Sequence, residues 1–154
     1  MSAPVITLHL LAAVIWVGGM FFAYLAVRPV LAGLETHQRA RLWAGIFRRF
    51  FPWVWASVVT LLVTGFYLVL TGFDSMGAVP LFIHVMMGLG ILMMLLYGHL
   101  FFVPYRRLQQ AVAAADDALA LSAMGQIRKV MLVNLILGLV VVLDATLGSF
   151  TAFN

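Results

Sequence analysis

Four uninterrupted apolar stretches, each about as long as a lipid bilayer is thick, constrain this chain more than anything else in it. A hydrocarbon core about 30 Å thick is crossed by roughly 20 apolar residues in a helix. Runs of that kind lie at about residues 5–27, 51–72, 80–104 and 130–150. Inside lipid, backbone N–H and C=O groups must pair within their own segment, so the runs predict helices. The expected fold is all-α, an integral membrane four-helix bundle forming a single transmembrane domain over residues 1–154. Composition closes the alternatives. The chain is 65% hydrophobic and 9% charged, against about 45–50% and 25% in soluble proteins. A soluble domain of this size could not bury that much apolar surface, and disordered chains are polar. There is no cysteine, so disulfides, zinc fingers and iron–sulfur clusters are excluded. Any metal site must use His, Met, carboxylate or backbone oxygen.

The charges set a direction. All nine basic residues fall in two connections: Arg28, Arg39, Arg41, Arg48 and Arg49 between runs 1 and 2, then Arg106, Arg107, Arg128 and Lys129 between runs 3 and 4. The connection from Thr71 to Val79 holds Asp74 and no base. The positive-inside rule places both basic connections in the cytoplasm and both termini in the periplasm of a bacterial inner (cytoplasmic) membrane. The net charge of +4 therefore points to a bilayer with anionic headgroups as partner and not to nucleic acid. Between Leu34 and Phe50 arginines alternate with Leu42, Trp43, Ile46 and Phe47, which predicts an interfacial amphipathic helix. Residues 106–127 are Ala-rich, with Asp116 and Asp117 in a short helix.

Ionisable residues inside spans are costly and mark function by default. At about 1.5 Å per residue, His9 and His84 lie roughly 6 Å, and Asp144 roughly 9 Å, below the outer ends of their helices. Three helices thus bring two imidazoles and a carboxylate to one layer. His9, Ala13, Trp16 and Met20 share one helical stripe, and His84, Gly88, Ile91, Leu95 and Phe102 another. Gly88, one turn below His84, leaves space for a flat ligand or a close helix. The residues expected around a cofactor are His9, His84, Trp16 and Gly88; those expected to hold a metal are His9, His84, Met87 and Asp144. Asp144 either fixes the tautomer of a ligating histidine or accepts a proton or cation from the periplasm. The plainer alternative is a pair of histidines that hydrogen-bond between helices packed on glycine. Met86, Met87, Met93 and Met94 form two pairs seven residues apart; thioethers suit Cu(I), although methionine is also common apolar filler. An inner layer of Tyr24, Tyr97, His99 and Asn134 has no second intramembrane histidine for His99.

The run from His9 through Trp16 to Gly19, a His-x6-Trp-x2-Gly pattern, resembles the first span of the copper-resistance protein D (CopD) family. The Arg-rich connection, the Phe51-Pro52-Trp53 entry to run 2 and the Pro104-Tyr105-Arg106-Arg107 exit of run 3 extend the likeness over the chain. The resemblance implies an inner-membrane copper-handling protein, of resistance or uptake type. The first span is also similar to that of the membrane haem-containing protoporphyrinogen oxidases, whose span-1 histidine, His9 by position, is implicated in b-haem binding. Met86 stands roughly where that family has lysine, which departs from the oxidase pattern while leaving haem open. Copper or b-type haem are therefore the two cofactors expected, with His9 and His84 as ligands in either case. A periplasmic or membrane redox partner is the further partner class. Whether the chain is an enzyme stays open, but no Ser–His–acid set lies where water could reach it.

Overall fold

A computed structural model describes residues 3–152, and every described element is helical or a turn. Helix α1 spans Ala3–Phe22, α2 Arg28–Leu31, α3 Thr36–Gly72, α4 Leu81–Phe102, α5 Pro104–Ala114 and α6 Asp117–Ala152. A five-residue π-helical turn, Ala23–Val27, joins α1 to α2 without a break in the rod. Four continuous helical rods are long and apolar enough to cross a membrane: 3–31, 36–72, 81–114 and 117–150.

The rods are longer than the apolar runs, and the excess lies at the basic end. Helix α3 has 37 residues, about 55 Å of rise against a 30 Å hydrocarbon core. Residues 36–50 do not form a separate interfacial helix; they are the first four turns of α3. The reason is visible in their packing. Ala40, Trp43 and Phe47 are buried, with Trp43 and Phe51 stacked on either side of Phe47 at 5.0 and 4.9 Å. Their partners come from α5 and the first turns of α6. In α5, Tyr105, Leu108 and Ala111 form a buried stripe with Arg106, Arg107, Gln109 and Gln110 exposed opposite. In α6, Ala120, Ala123 and Ile127 close the core. An amphipathic segment with a protein surface to cover gains more by packing there than by lying on headgroups.

The Ala-rich segment is likewise divided, with α5 and α6 meeting at a tight turn. Ala115 takes the left-handed conformation (φ 52°) and Asp116 N–H donates to Ala111 O at 3.0 Å, which ends α5 by a Schellman-like closure. Asp116 Oδ1 then accepts from Leu119 N–H at 2.9 Å and caps α6.

In the bundle, α1 pairs chiefly with α3 and α4 with α6. Small residues let the rods approach. A Cβ placed on Gly138 would fall 2.9 Å from Val17 Cγ2 and 3.2 Å from Met93 Cε, so α1, α4 and α6 all converge there. Midway along, Tyr97 O–H donates to Phe51 O at 3.1 Å and Asn134 Nδ2–H donates to Met93 O at 3.2 Å. Tyr97 also meets Trp16, Phe51 and Trp55 edge-on. This aromatic plug separates the basic half of the bundle from the half that holds the N-terminal part of α4 and the C-terminal part of α6.

Candidate functional site

The opening between the α1–α3 pair and the α4–α6 pair forms a cavity of about 230 Å³ in the half of the bundle away from the basic residues. His9, Ala13 and Trp16 line it from α1, Gly65 from α3, and Gly138 and Ala145 from α6. From α4 come Met86, Met87, Gly90, Met93 and Met94, which is one face of that helix (i, i+1, i+4, i+7, i+8). The remaining lining is aliphatic or aromatic apart from Thr146, whose hydroxyl donates to its own helix at Val142 O, 2.9 Å away. His9 is thus the one ionisable residue among the described lining.

The hydrogen bonds of His9 fix its chemistry. Thr64 Oγ1 donates its only proton to Thr60 O at 2.6 Å. Its contact of 2.7 Å with His9 Nδ1 therefore requires the proton on Nδ1, so that the ring donates and the hydroxyl accepts. Nε2 is left with its lone pair and no partner among the described residues. Gly65 lies beside the ring, where an added Cβ would stand 3.4 Å from His9 Cε1, in ordinary van der Waals contact. A chain of carbonyl, hydroxyl and imidazole that holds one nitrogen protonated is how ligating histidines are commonly oriented.

The register of the helices sets the heights of the donors. Gly138 packs against Val17 and Met93, and Gly148 against Phe82. Counting along antiparallel rods from these contacts, Met86 and Met87 lie within about one turn of His9, and Met93 and Met94 about two turns further in. The cavity therefore offers a neutral imidazole with thioethers near it and a second thioether pair below.

His84 does not line this cavity, and neither does Gly88. Position 88 precedes Gly90 by two residues, about 200° around the helix. Gly88 is exposed, and a Cβ added to it would meet nothing within 4 Å. Gly88, Leu95 and Phe102 lie on the exposed face of α4, Ile91 is exposed and also reaches the cavity, and the glycine of α4 that lines the cavity is Gly90. His84, half-buried in the first turn of α4, places Nδ1 at 3.3 Å from Pro80 O. That carbonyl can only accept, so His84 too carries its proton on Nδ1. Asp144 is half-buried; its Oδ2 is enclosed and has no hydrogen-bond partner. It neighbours the cavity-lining Ala145, while the hydrogen bonds of the two histidine rings go to Thr64 and to Pro80 O. Thr64, not Asp144, supports His9.

Among the described residues no group of three or more His, Asp or Glu is gathered as a metal cluster. A bis-histidine haem needs two axial imidazoles, and this cavity holds one. In the inner layer, Asn134 is buried with Oδ1 unpartnered, Tyr24 lies under Arg28 at 5.0 Å and His99 is exposed. The sequence pattern marked the four methionines as possible thioether donors for Cu(I) but did not single out Thr64 or Gly65. The signal available for Thr64 was a threonine in an apolar run.

Comparison with curated proteins and with solved structures gives no significant match. The profile of one protein family, described as copper resistance protein D (CopD), matches residues 44–147. The matched stretch takes in most of α3 and all of α4 and α5, with the methionines, His84 and Asp144, and leaves α1 with His9 and Trp16 outside it. It covers well over half of the 154 residues, and with four membrane-crossing rods it makes the chain a multi-pass membrane protein of the CopD family.

Proposed function

We propose that this protein handles copper as Cu(I), its cargo, in the cavity between α1 and α4. His9 Nε2 and the thioethers of Met86 and Met87 serve as the ligands. The observation that carries the reading is the proton placed on His9 Nδ1 by the Thr64–Thr60 relay, which frees the other nitrogen inside a methionine-rich pocket. The donor set is soft and neutral, and that composition suits Cu(I) and does not suit Zn(II) or Mg(II). A monovalent ion is also the cheapest metal charge to hold in an apolar cavity. Asp144, with its enclosed and unpartnered Oδ2, supplies a compensating negative charge at the level of Met86. His84 stands outside the cavity at the same outer end and acts as an entry ligand. Met93 and Met94 provide a second station further in.

The test is a Cu(I) titration of detergent-purified protein under anaerobic, reducing conditions, with X-ray absorption of the loaded form. One equivalent bound through mixed nitrogen and sulfur neighbours is expected. A first shell without sulfur would remove the reading.

The basic residues cluster at the end away from this cavity, so the positive-inside rule puts the cavity on the periplasmic side of a bacterial inner membrane. Asn154 lies outside the described residues, but a reporter fused after it is expected in the periplasm. Cytoplasmic reporter activity would reverse the side from which copper enters.

A further inference from the structure

At the opposite, basic end of the bundle a cleft of about 310 Å³ lies between α2, the first turns of α3 and the early part of α6. Three arginines line it, each from a different helix: Arg28, Arg39 and Arg128. No carboxylate lines the cleft, and none of the three is ion-paired among the described residues. Arg28 lies over the Tyr24 ring at 5.0 Å, a contact that holds the guanidinium in place without using its N–H donors. The floor is apolar and aromatic, formed by Trp43, Phe47 and Met131.

We propose that this cleft binds one phosphate group, that of an anionic phospholipid of the adjacent leaflet. Three unpaired guanidinium groups facing one opening repel one another, and a bound anion relieves that repulsion. Their planar forks match phosphate oxygens in a bidentate manner that an ammonium cannot. The apolar wall decides between sources of phosphate. A free hydrated anion gains nothing from the accessible side chains of Leu121 and Met124 that line the cleft, whereas the glycerol and first acyl carbons of a lipid pack on them. Position agrees: the cleft lies beside the basic ends of the apolar runs 51–72 and 130–150, at the depth of headgroups. Because α2, α3 and α6 all contribute, the bound lipid ties the connection after α1 to the other two rods.

The test uses the full chain, delipidated in detergent and titrated in native mass spectrometry with phosphatidylglycerol, phosphatidylcholine or inorganic phosphate. One phosphatidylglycerol per chain is expected, held more tightly than phosphatidylcholine. Arg28→Gln, Arg39→Gln and Arg128→Gln are each expected to weaken it by about fivefold. Arg41→Gln and Arg49→Gln remove the same charge outside the cleft and are expected to change it by less than about twofold. Equal loss in those two controls would show a diffuse charge effect and overturn the site. So would equal retention of the two lipids. Inorganic phosphate binding as tightly as phosphatidylglycerol, with the same arginine dependence, would uphold a phosphate site and overturn the lipid as its source.

Discussion

His9→Ala is expected to lower Cu(I) affinity by at least about 100-fold, and Thr64→Val by about 10-fold. The first removes the one imidazole of the cavity. The second keeps the size of the side chain but deletes the hydroxyl that accepts from Nδ1–H at 2.7 Å. Without it the ring is free to place its proton on Nε2, where it blocks the lone pair, and to turn away from the methionines. The measurement is competition against a chromophoric Cu(I) chelator in detergent. His84→Ala, which alters a residue outside the cavity, is expected to cost less than either, and His37→Ala to cost nothing measurable. If Thr64→Val left affinity unchanged, the relay would be mere packing. If His84→Ala matched His9→Ala, the ion would sit nearer the end of α4 than in the cavity.

The order of these effects also shows which parts of the molecule can be read along one dimension. Each of the four membrane-crossing rods contains an apolar run of the length that lipid imposes, so their existence followed from hydropathy alone. Where the rods end did not. Residues 36–50 carry the pattern of an interfacial helix, and only the surface offered by Leu108, Ala111, Ala120 and Ala123, far along the chain, turns them into the base of α3. The site divides in the same way. His9 and Trp16 were legible because a polar or bulky group in an apolar run is costly and conspicuous. The face of α4 was not, because 22 residues of nearly uniform apolarity leave no polar side to mark which stripe points inward. His84 suggested one stripe; the close contacts at Gly138 and Gly148 rotate the helix so that the methionines take the other. The support from Thr64 depends on α1 pairing with α3, a tertiary choice that no local signal encodes.

Trp16→Ala is expected to destabilise the bundle by about 3 kcal/mol, lowering the melting midpoint by roughly 6–12 °C. Trp16 is 2% exposed and forms the floor of the cavity, with its ring edge-on to Tyr97 at a centroid distance of 6.0 Å. In lipid the gain from removing apolar surface from water is small, so the loss is mainly one of packing contacts that neither water nor lipid can replace. The same truncation at Trp53, which is 63% exposed, is expected to stay within about 0.5 kcal/mol. Melts followed by circular dichroism in detergent compare the two, and equal midpoints would mean that the floor is not a packed element. The Trp16 variant also separates the roles of wall and ligand. It keeps His9, Thr64 and the methionines near them, so Cu(I) is still held, but the cavity now runs on to Tyr97 and the unpartnered Oδ1 of Asn134. His9→Ala has the converse profile, with the floor intact, the midpoint nearly unchanged and the ion lost. A site whose affinity followed the melting midpoint across these variants would owe its binding to the fold as a whole and not to the nitrogen of His9.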